Sequence, residues 1–99
     1  MLEQEFDTAM WRTVDVARKH KYTPTYFMQM LEEHGGVQTA KRLLAGENPQ
    51  YGLDHLWEMG LLHESMEAQV IKEKFQSLFT VEEINEAKKR LIDRGFNVG

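Results

Sequence analysis

Cysteine is absent from this 99-residue sequence, and proline occurs only twice. Without cysteine the chain forms no disulfide, no thiolate nucleophile and no zinc–cysteine site, and a reducing cytoplasm fits this composition. There is no low-complexity tract and no apolar run of membrane-spanning length, so neither disorder nor a membrane span is predicted. The first residues are acidic and lack the apolar segment of a secretory signal. These absences favour a cytoplasmic globular domain.

The overall charge also lacks a strong bias. Lysine and arginine total 12 against 16 aspartates and glutamates, which gives a net charge of −4. This mild acidity disfavours a protein that binds nucleic acid mainly through phosphate contacts. A hydrophobic fraction of 41% is ordinary for a globular domain. At this length the sequence predicts one domain, residues 1–99, with a single modest core.

The clearest local pattern is a long, well-capped C-terminal helix. Thr80 and Glu83 have the spacing of a capping box, in which each side chain bonds the other residue's backbone amide. Gly95 has the place of a left-handed helix stop, and Phe96 can fold back on Leu91 in a Schellman motif. The helical period predicts one buried face composed of Val81, Ile84, Ala87, Leu91 and Ile92.

The remaining pattern predicts helices and no strand. A first helix is predicted over residues 3–20, and a second opens with Thr23 as N-cap and Pro24 at its first position. Glycines 35 and 36 should end it and lead into a short third helix. A loop over Glu47-Asn48-Pro49-Gln50 separates this from a fourth helix near residues 51–59, and Ser65 should cap a fifth. The predicted fold is therefore all-α: a single compact domain of five or six helices. The apolar residues predicted for the fourth helix are Leu53, Leu56 and Trp57.

The sequence offers no pattern typical of catalysis or metal binding. The carboxylate pairs Glu32-Glu33 and Glu82-Glu83 are adjacent on helices, so their side chains diverge by about 100° and cannot face one substrate. Ser65 has the position of a cap, and neither serine lies in a nucleophile elbow. No His-Glu-x-x-His motif connects the four histidines. We therefore expect a non-enzyme with no metal and no cofactor.

Three residues are candidates for binding a partner protein. Trp11 falls outside the apolar face of the first helix, and tryptophan is a frequent anchor of protein interfaces. Met28 lies at the edge of the second helix's apolar stripe, where a flexible thioether suits a soft interface. Tyr22 is close to both in sequence. The pattern favours a protein-interaction or adaptor domain, or a homo-oligomer in which the first helix pairs with itself.

A DNA-binding alternative rests on residues 37–45. The glycine turn joins two predicted helices as in a helix-turn-helix module, and the second helix would present base-reading groups early in its length. The acidic total charge and Glu32-Glu33 just before the turn weigh against this hypothesis. The side chains that would read or hold DNA are Gln38, Thr39, Lys41 and Arg42.

From residue 22 to about residue 96 the chain resembles an uncharacterised family of small bacterial all-helical domains. Members of that family are stand-alone proteins or are attached to nuclease or restriction-type proteins. The resemblance implies an accessory role near phage defence or DNA processing, and it implies no catalytic residues. Residues 1–21 lie outside it. The strings that carry it are Tyr22-Thr23-Pro24-Thr25-Tyr26-Phe27, Glu33-His34-Gly35-Gly36-Val37, Ala40-Lys41-Arg42-Leu43-Leu44, Leu56-Trp57-Glu58, Gly60-Leu61-Leu62, Ser65-Met66-Glu67 and residues 75–83, with Leu91 and Gly95.

Overall fold

The computed structural model describes residues 1–46 and 52–98. Five α-helices occur in this part of the chain: α1 (Leu2–Lys19), α2 (Thr25–Leu44), α3 (Leu53–Glu58), α4 (Met66–Val70) and α5 (Val81–Ile92). Two 3₁₀ segments, Leu62–Glu64 and Glu73–Leu78, flank α4. The described residues contain no strand, so the predicted all-α class is confirmed. The loop predicted at residues 47–50 and the predicted start of the fourth helix at Tyr51 lie outside the described residues.

Helix α2 is bent at Gly35, which confirms the predicted glycine turn. Gly35 has φ +79° and ψ 172°, a backbone conformation that only glycine adopts without strain. When the two halves of α2 are counted separately, the described chain has six α-helical segments, within the predicted range of five or six. The predicted start of this helix is wrong by one position. Pro24 is the N-cap, Thr25 is the first helical residue, and the helix start has no side-chain cap hydrogen bond.

Helices α1 and α2 approach closely just after the bend. The backbone N–H of Gly36 donates to Asp7 Oδ1 at 2.8 Å. A Cβ at Gly36 would lie 2.9 Å from the Asp7 Cα, a distance that real Cβ atoms do not reach. Glycine at this position therefore lets the two backbones meet, and this contact fixes the packing of α1 on the second half of α2.

The centre of the core is an aromatic cluster around Phe6. Its ring lies 5.1 Å from the rings of both Phe75 and Phe79, in edge-to-face geometry. The segment between α4 and α5 therefore closes one end of the core. The other fully buried hydrophobic side chains of the core include Met10, Phe27, Ala40, Leu43, Met66, Val70, Ala87 and Leu91.

Helix α5 has both predicted caps. Thr80 Oγ1 accepts from the Glu83 N–H at 3.1 Å, and Glu83 Oε1 accepts from the Thr80 N–H at 2.8 Å. Gly95 has φ +81°, and the Phe96 N–H donates to the Leu91 carbonyl at 3.0 Å, which is the predicted Schellman bond. Local sequence fixes both ends because the partners lie within six residues of one another.

The buried face of α5 is narrower than predicted. Ala87 and Leu91 are fully buried and Ile84 is half-buried, but Val81 is 69% exposed and Ile92 is 56% exposed. The prediction that these last two residues are core is wrong. The helix packs on α4 and α2 along a stripe centred on Ala87 and Leu91. Val81 and Ile92 lie about 100–120° around the helix from the centre of this stripe, at 100° per residue, and remain in solvent.

A buried ion pair joins α4 to α5, and the sequence pattern does not reveal it. Glu67 has no exposed surface, and its Oε2 accepts from Arg90 Nη1 at 3.1 Å. Arg90 also donates to Glu86 Oε2 at 2.8 Å and to the Leu43 carbonyl at 2.9 Å. Burial lowers the pKa of Arg90, but the hydrogen bonds and charges of Glu86 and Glu67 outweigh this and raise it. Arg90 therefore connects α2, α4 and α5.

Thr39 is fully buried on α2, and its Oγ1 has no hydrogen-bond partner among the described residues. A buried hydroxyl without a partner keeps its desolvation cost uncompensated. We expect Thr39→Val, which preserves the shape of the side chain, to stabilise the fold by about 1 kcal/mol. Urea unfolding followed by circular dichroism measures this difference.

Thr13 provides the matched control for this prediction. It is equally buried, but its Oγ1 bonds the carbonyls of Ala9 and Glu64. The same change, Thr13→Val, should therefore destabilise the fold by about 1 kcal/mol. If both valine variants shift stability in the same direction, the assignment of Thr39 as unpartnered is wrong.

Candidate interaction surface

The three predicted interface residues are all half-buried. Trp11 and Met28 pack against the core cluster from its periphery. Tyr22 lies between the first two helices and α3, where its ring stacks on His55 with centroids 4.3 Å apart and an interplanar angle of 14°. Each side chain thus already contacts its own chain, and little of each surface remains for a partner.

Tyr22 has a structural role that its sequence position does not suggest. A Cβ at Gly52 would lie 2.6 Å from the Tyr22 hydroxyl, so glycine makes room for this ring at the start of α3. Gly52 also has φ +122°, which disfavours any other residue. Burial raises the pKa of the Tyr22 phenol. Tyr22 therefore attaches α3 to the junction of α1 and α2.

The four residues of the DNA-binding alternative do not form one exposed face. Gln38 and Arg42 are exposed, but Thr39 is fully buried, so the expectation that Thr39 faces outward is wrong. Lys41 Nζ donates to Glu83 Oε1 at 2.8 Å and lies 5.4 Å from the centroid of Phe79. Two of the four predicted DNA-contacting side chains, Thr39 and Lys41, therefore make contacts within the fold and are not free to contact DNA.

The Lys41–Glu83 contact also affects the pKa of the Glu83 carboxyl group. Burial pushes the pKa of Glu83 upward, but the hydrogen bonds from Lys41 and Thr80 and the charge of Lys41 outweigh it, so the pKa lies below its usual value. Glu83 thus serves two purposes, since it caps α5 and holds a lysine of α2.

Acidic groups lie beside the glycine turn. An open cleft of about 570 Å³ borders this turn, and its lining includes Glu3 and Asp7 of α1 together with His34 and Gln38. Carboxylates next to the first turn of a recognition helix would repel a phosphate backbone. The surroundings of the turn therefore favour a packing role over contact with DNA.

The most exposed tryptophan of the described chain is Trp57 on α3. Its exposed fraction is 49%, compared with the half-buried state of Trp11. Trp57 borders an open cleft of about 340 Å³. The residues that line this cleft are Trp57, Gly60, Leu62, His63, Arg94, Gly95 and Phe96.

Two glycine-terminated helix ends form this cleft. At the end of α3 the Leu61 N–H donates to the Leu56 carbonyl at 2.7 Å, and Gly60 has φ +73°. This is the same Schellman geometry that Gly95 gives to α5. Arg94 Nε donates to Asp54 Oδ1 at 2.8 Å and so ties the end of α5 to α3. Backbone hydrogen bonds and one ion pair therefore hold the cleft in shape.

The helical pattern of α3 does not distinguish Trp57 from core residues. Leu53, Leu56 and Trp57 share one side of a helical wheel, and that spacing predicts burial for all three. Leu53 and Leu56 are buried as expected, whereas Trp57 is not. A helix of six residues presents only a narrow stripe to the core, and the bulkiest side chain at its edge remains in solvent. No signal in the sequence alone identifies this exposure.

A larger cleft of about 690 Å³ lies between α1 and the 3₁₀ segments. Its charged lining residues are of both signs, with Arg12, Lys72 and Lys74 opposed by Glu5 and Glu64. Arg12 Nε lies 3.5 Å from Glu64 Oε1. Because these charges offset one another, the cleft does not select for a strongly anionic ligand.

Within residues 1–46 and 52–98, no three histidine or carboxylate side chains cluster so that they could hold a metal ion. No helix of this part of the chain has the length and apolar character needed to cross a membrane. Comparisons with protein-family models, curated proteins and solved structures find no match to this chain. The resemblance to small bacterial helical domains therefore stays a prediction.

Proposed function

We propose that this chain is a non-catalytic protein-interaction or adaptor domain, and that Trp57 anchors its partner. The observation that carries the proposal is the half-exposed Trp57 ring beside an open cleft. Exposed tryptophans next to preformed pockets dominate the binding energy of many protein interfaces. The partner is a protein segment that places an apolar side chain between Trp57 and Phe96.

The construction of the cleft supports this choice. Leu62 and Phe96 give it apolar surface, while His63 and Arg94 supply polar groups at its border. An apolar centre with a polar rim is the common arrangement of protein–protein contacts. Since two Schellman turns and the Arg94–Asp54 pair already hold the cleft, binding requires little ordering of this chain.

We propose a cytoplasmic setting and an accessory role beside a DNA-processing or phage-defence protein. This finer proposal rests on the sequence resemblance and on the cysteine-free composition. The helix-turn-helix alternative has less support, because Thr39 is buried and Lys41 is held by Glu83.

Affinity capture from native lysate, followed by mass spectrometry, tests the interaction proposal. We expect a stoichiometric partner for the unchanged chain and at least a tenfold loss of its affinity for Trp57→Ala, since truncation of a tryptophan anchor costs about 2 kcal/mol or more. Titration calorimetry with the purified partner measures that loss. Circular dichroism should show an intact fold, because the ring is half exposed.

Tyr26→Ala provides a matched control, since this aromatic side chain on α2 is exposed to a similar degree, 41%. It should leave partner affinity unchanged. Capture that survives Trp57→Ala but is lost with Tyr26→Ala would place the interface elsewhere. Capture only of material that nuclease releases, with a steep salt dependence, would instead favour the DNA-binding alternative.

A further inference from the structure

One solvent-facing side of α5 carries two aliphatic residues that are largely exposed in the described structure. Val81 and Ile92 are eleven residues apart, which at 100° per residue places them within about 20° of each other around the helix. Both are more than half exposed. Asn85 and Lys88 complete the same stripe between them, with the 4-3-4 spacing of a helix-pairing seam.

Charged residues without partners flank this stripe. Glu82 lies near the start of α5 and Lys89 near its end, and neither makes an ion pair with a described residue of its own chain. They are seven residues apart and so occupy the same side of the stripe. Because Glu82 is acidic and Lys89 is basic, this side of α5 is complementary in charge to a second α5 that runs in the opposite direction.

We propose that α5 pairs with α5 of a second copy of this chain in an antiparallel, two-fold symmetric contact. In that arrangement Val81 of one copy packs on Ile92 of the other, and Asn85 opposes Lys88. Glu82 of one copy faces Lys89 of the other across the two-fold axis. The symmetry produces a second, identical Glu82–Lys89 pair. A parallel arrangement would instead bring Lys88 against Lys88, which like charge disfavours.

The size of the contact makes the pair weak. One 12-residue helix face buries less than the roughly 1,000 Å² typical of stable interfaces. We therefore expect reversible dimers with a dissociation constant of about 0.1 mM. The residues of this contact do not line the Trp57 cleft, and the contact differs from the predicted self-pairing of α1.

Sedimentation equilibrium with the full chain, up to a concentration of about 1 mM, tests the proposal first. Single charge reversals, Glu82→Lys or Lys89→Glu, should weaken dimerisation about tenfold, because each places two like-charged pairs across the axis. The combined variant Glu82→Lys with Lys89→Glu should restore it. An unchanged chain that stays monomeric, or a combined variant that stays as weak as the single ones, overturns the proposal.

The absence of cysteine permits a second test by disulfide trapping. In the antiparallel pair, Val81→Cys and Ile92→Cys come within disulfide distance only between the two different variants. A mixture of the two variants should therefore form the disulfide-linked dimer faster than either variant alone. In the antiparallel pair, position 81 of one copy lies about 16 Å from position 81 of the other, and the same holds for position 92. Faster cross-linking of Val81→Cys with itself would indicate a parallel contact and overturn the proposal. Circular dichroism before oxidation verifies that every variant is folded.

Discussion

Replacing Arg90 with methionine should destabilise the protein by about 3–5 kcal/mol. The change leaves the Glu67 carboxylate without its arginine at a position with no exposed surface. It also removes the donors to Glu86 and to the Leu43 carbonyl. A domain of this size has about 5–15 kcal/mol of total stability, so the variant would be near its folding limit. Urea denaturation followed by circular dichroism measures the loss.

The same change at Arg94 serves as the control. Arg94 lies on the next turn and bonds Asp54, but that carboxylate is about half exposed. Arg94→Met should therefore cost no more than about 1 kcal/mol. Adding Glu67→Met to Arg90→Met should recover most of the loss, because an apolar pair replaces a buried ion pair at little cost. Equal losses for Arg90→Met and Arg94→Met would refute the importance of the buried pair.

Truncating Phe6 to alanine should also cost about 3–5 kcal/mol. The ring is fully buried and makes edge-to-face contacts with both Phe75 and Phe79. Its removal leaves a cavity where α1 meets the segment that leads into α5. The loss should appear as a lower urea midpoint with an unchanged slope, since the surface exposed on unfolding stays nearly the same.

Tyr26→Ala is the control for this truncation as well, because it removes an aromatic ring from an exposed position. It should change stability by no more than about 0.5 kcal/mol. If Phe6→Ala cost as little as Tyr26→Ala, the Phe6 cluster would not be the centre of the core. A lower slope for Phe6→Ala would instead indicate a loosened native state.

Features set by neighbouring residues are predictable from this sequence. The capping box at Thr80 and Glu83 and the Schellman end at Gly95 each depend on contacts within six residues. The same holds for Ser65, whose Oγ accepts from the Ala68 N–H at 3.2 Å as a helix cap. Because these hydrogen-bond partners are close to each other in sequence, the pattern of residue types is enough to identify them.

Features set by packing between distant segments are not predictable in this way. The period of α5 groups Val81 and Ile92 with Leu91, but contacts with α4 and α2 cover only the centre of that group. Thr39 has a polar side chain and still lies fully buried, because its position on α2 faces the interior. The helical period only shows which residues are apolar and share a side of the helix. The other segments that pack against the helix decide which of those side chains are buried.

The sequence by itself determined the all-α class, both caps of α5 and the absence of cysteine chemistry. Only the tertiary structure decided which residues remain available for binding. It buries Thr39, commits Tyr22 to His55 and Lys41 to Glu83, and leaves Trp57 in solvent. The reason is physical: helix formation and capping depend on local bonds, but exposure depends on contacts between segments that are tens of residues apart.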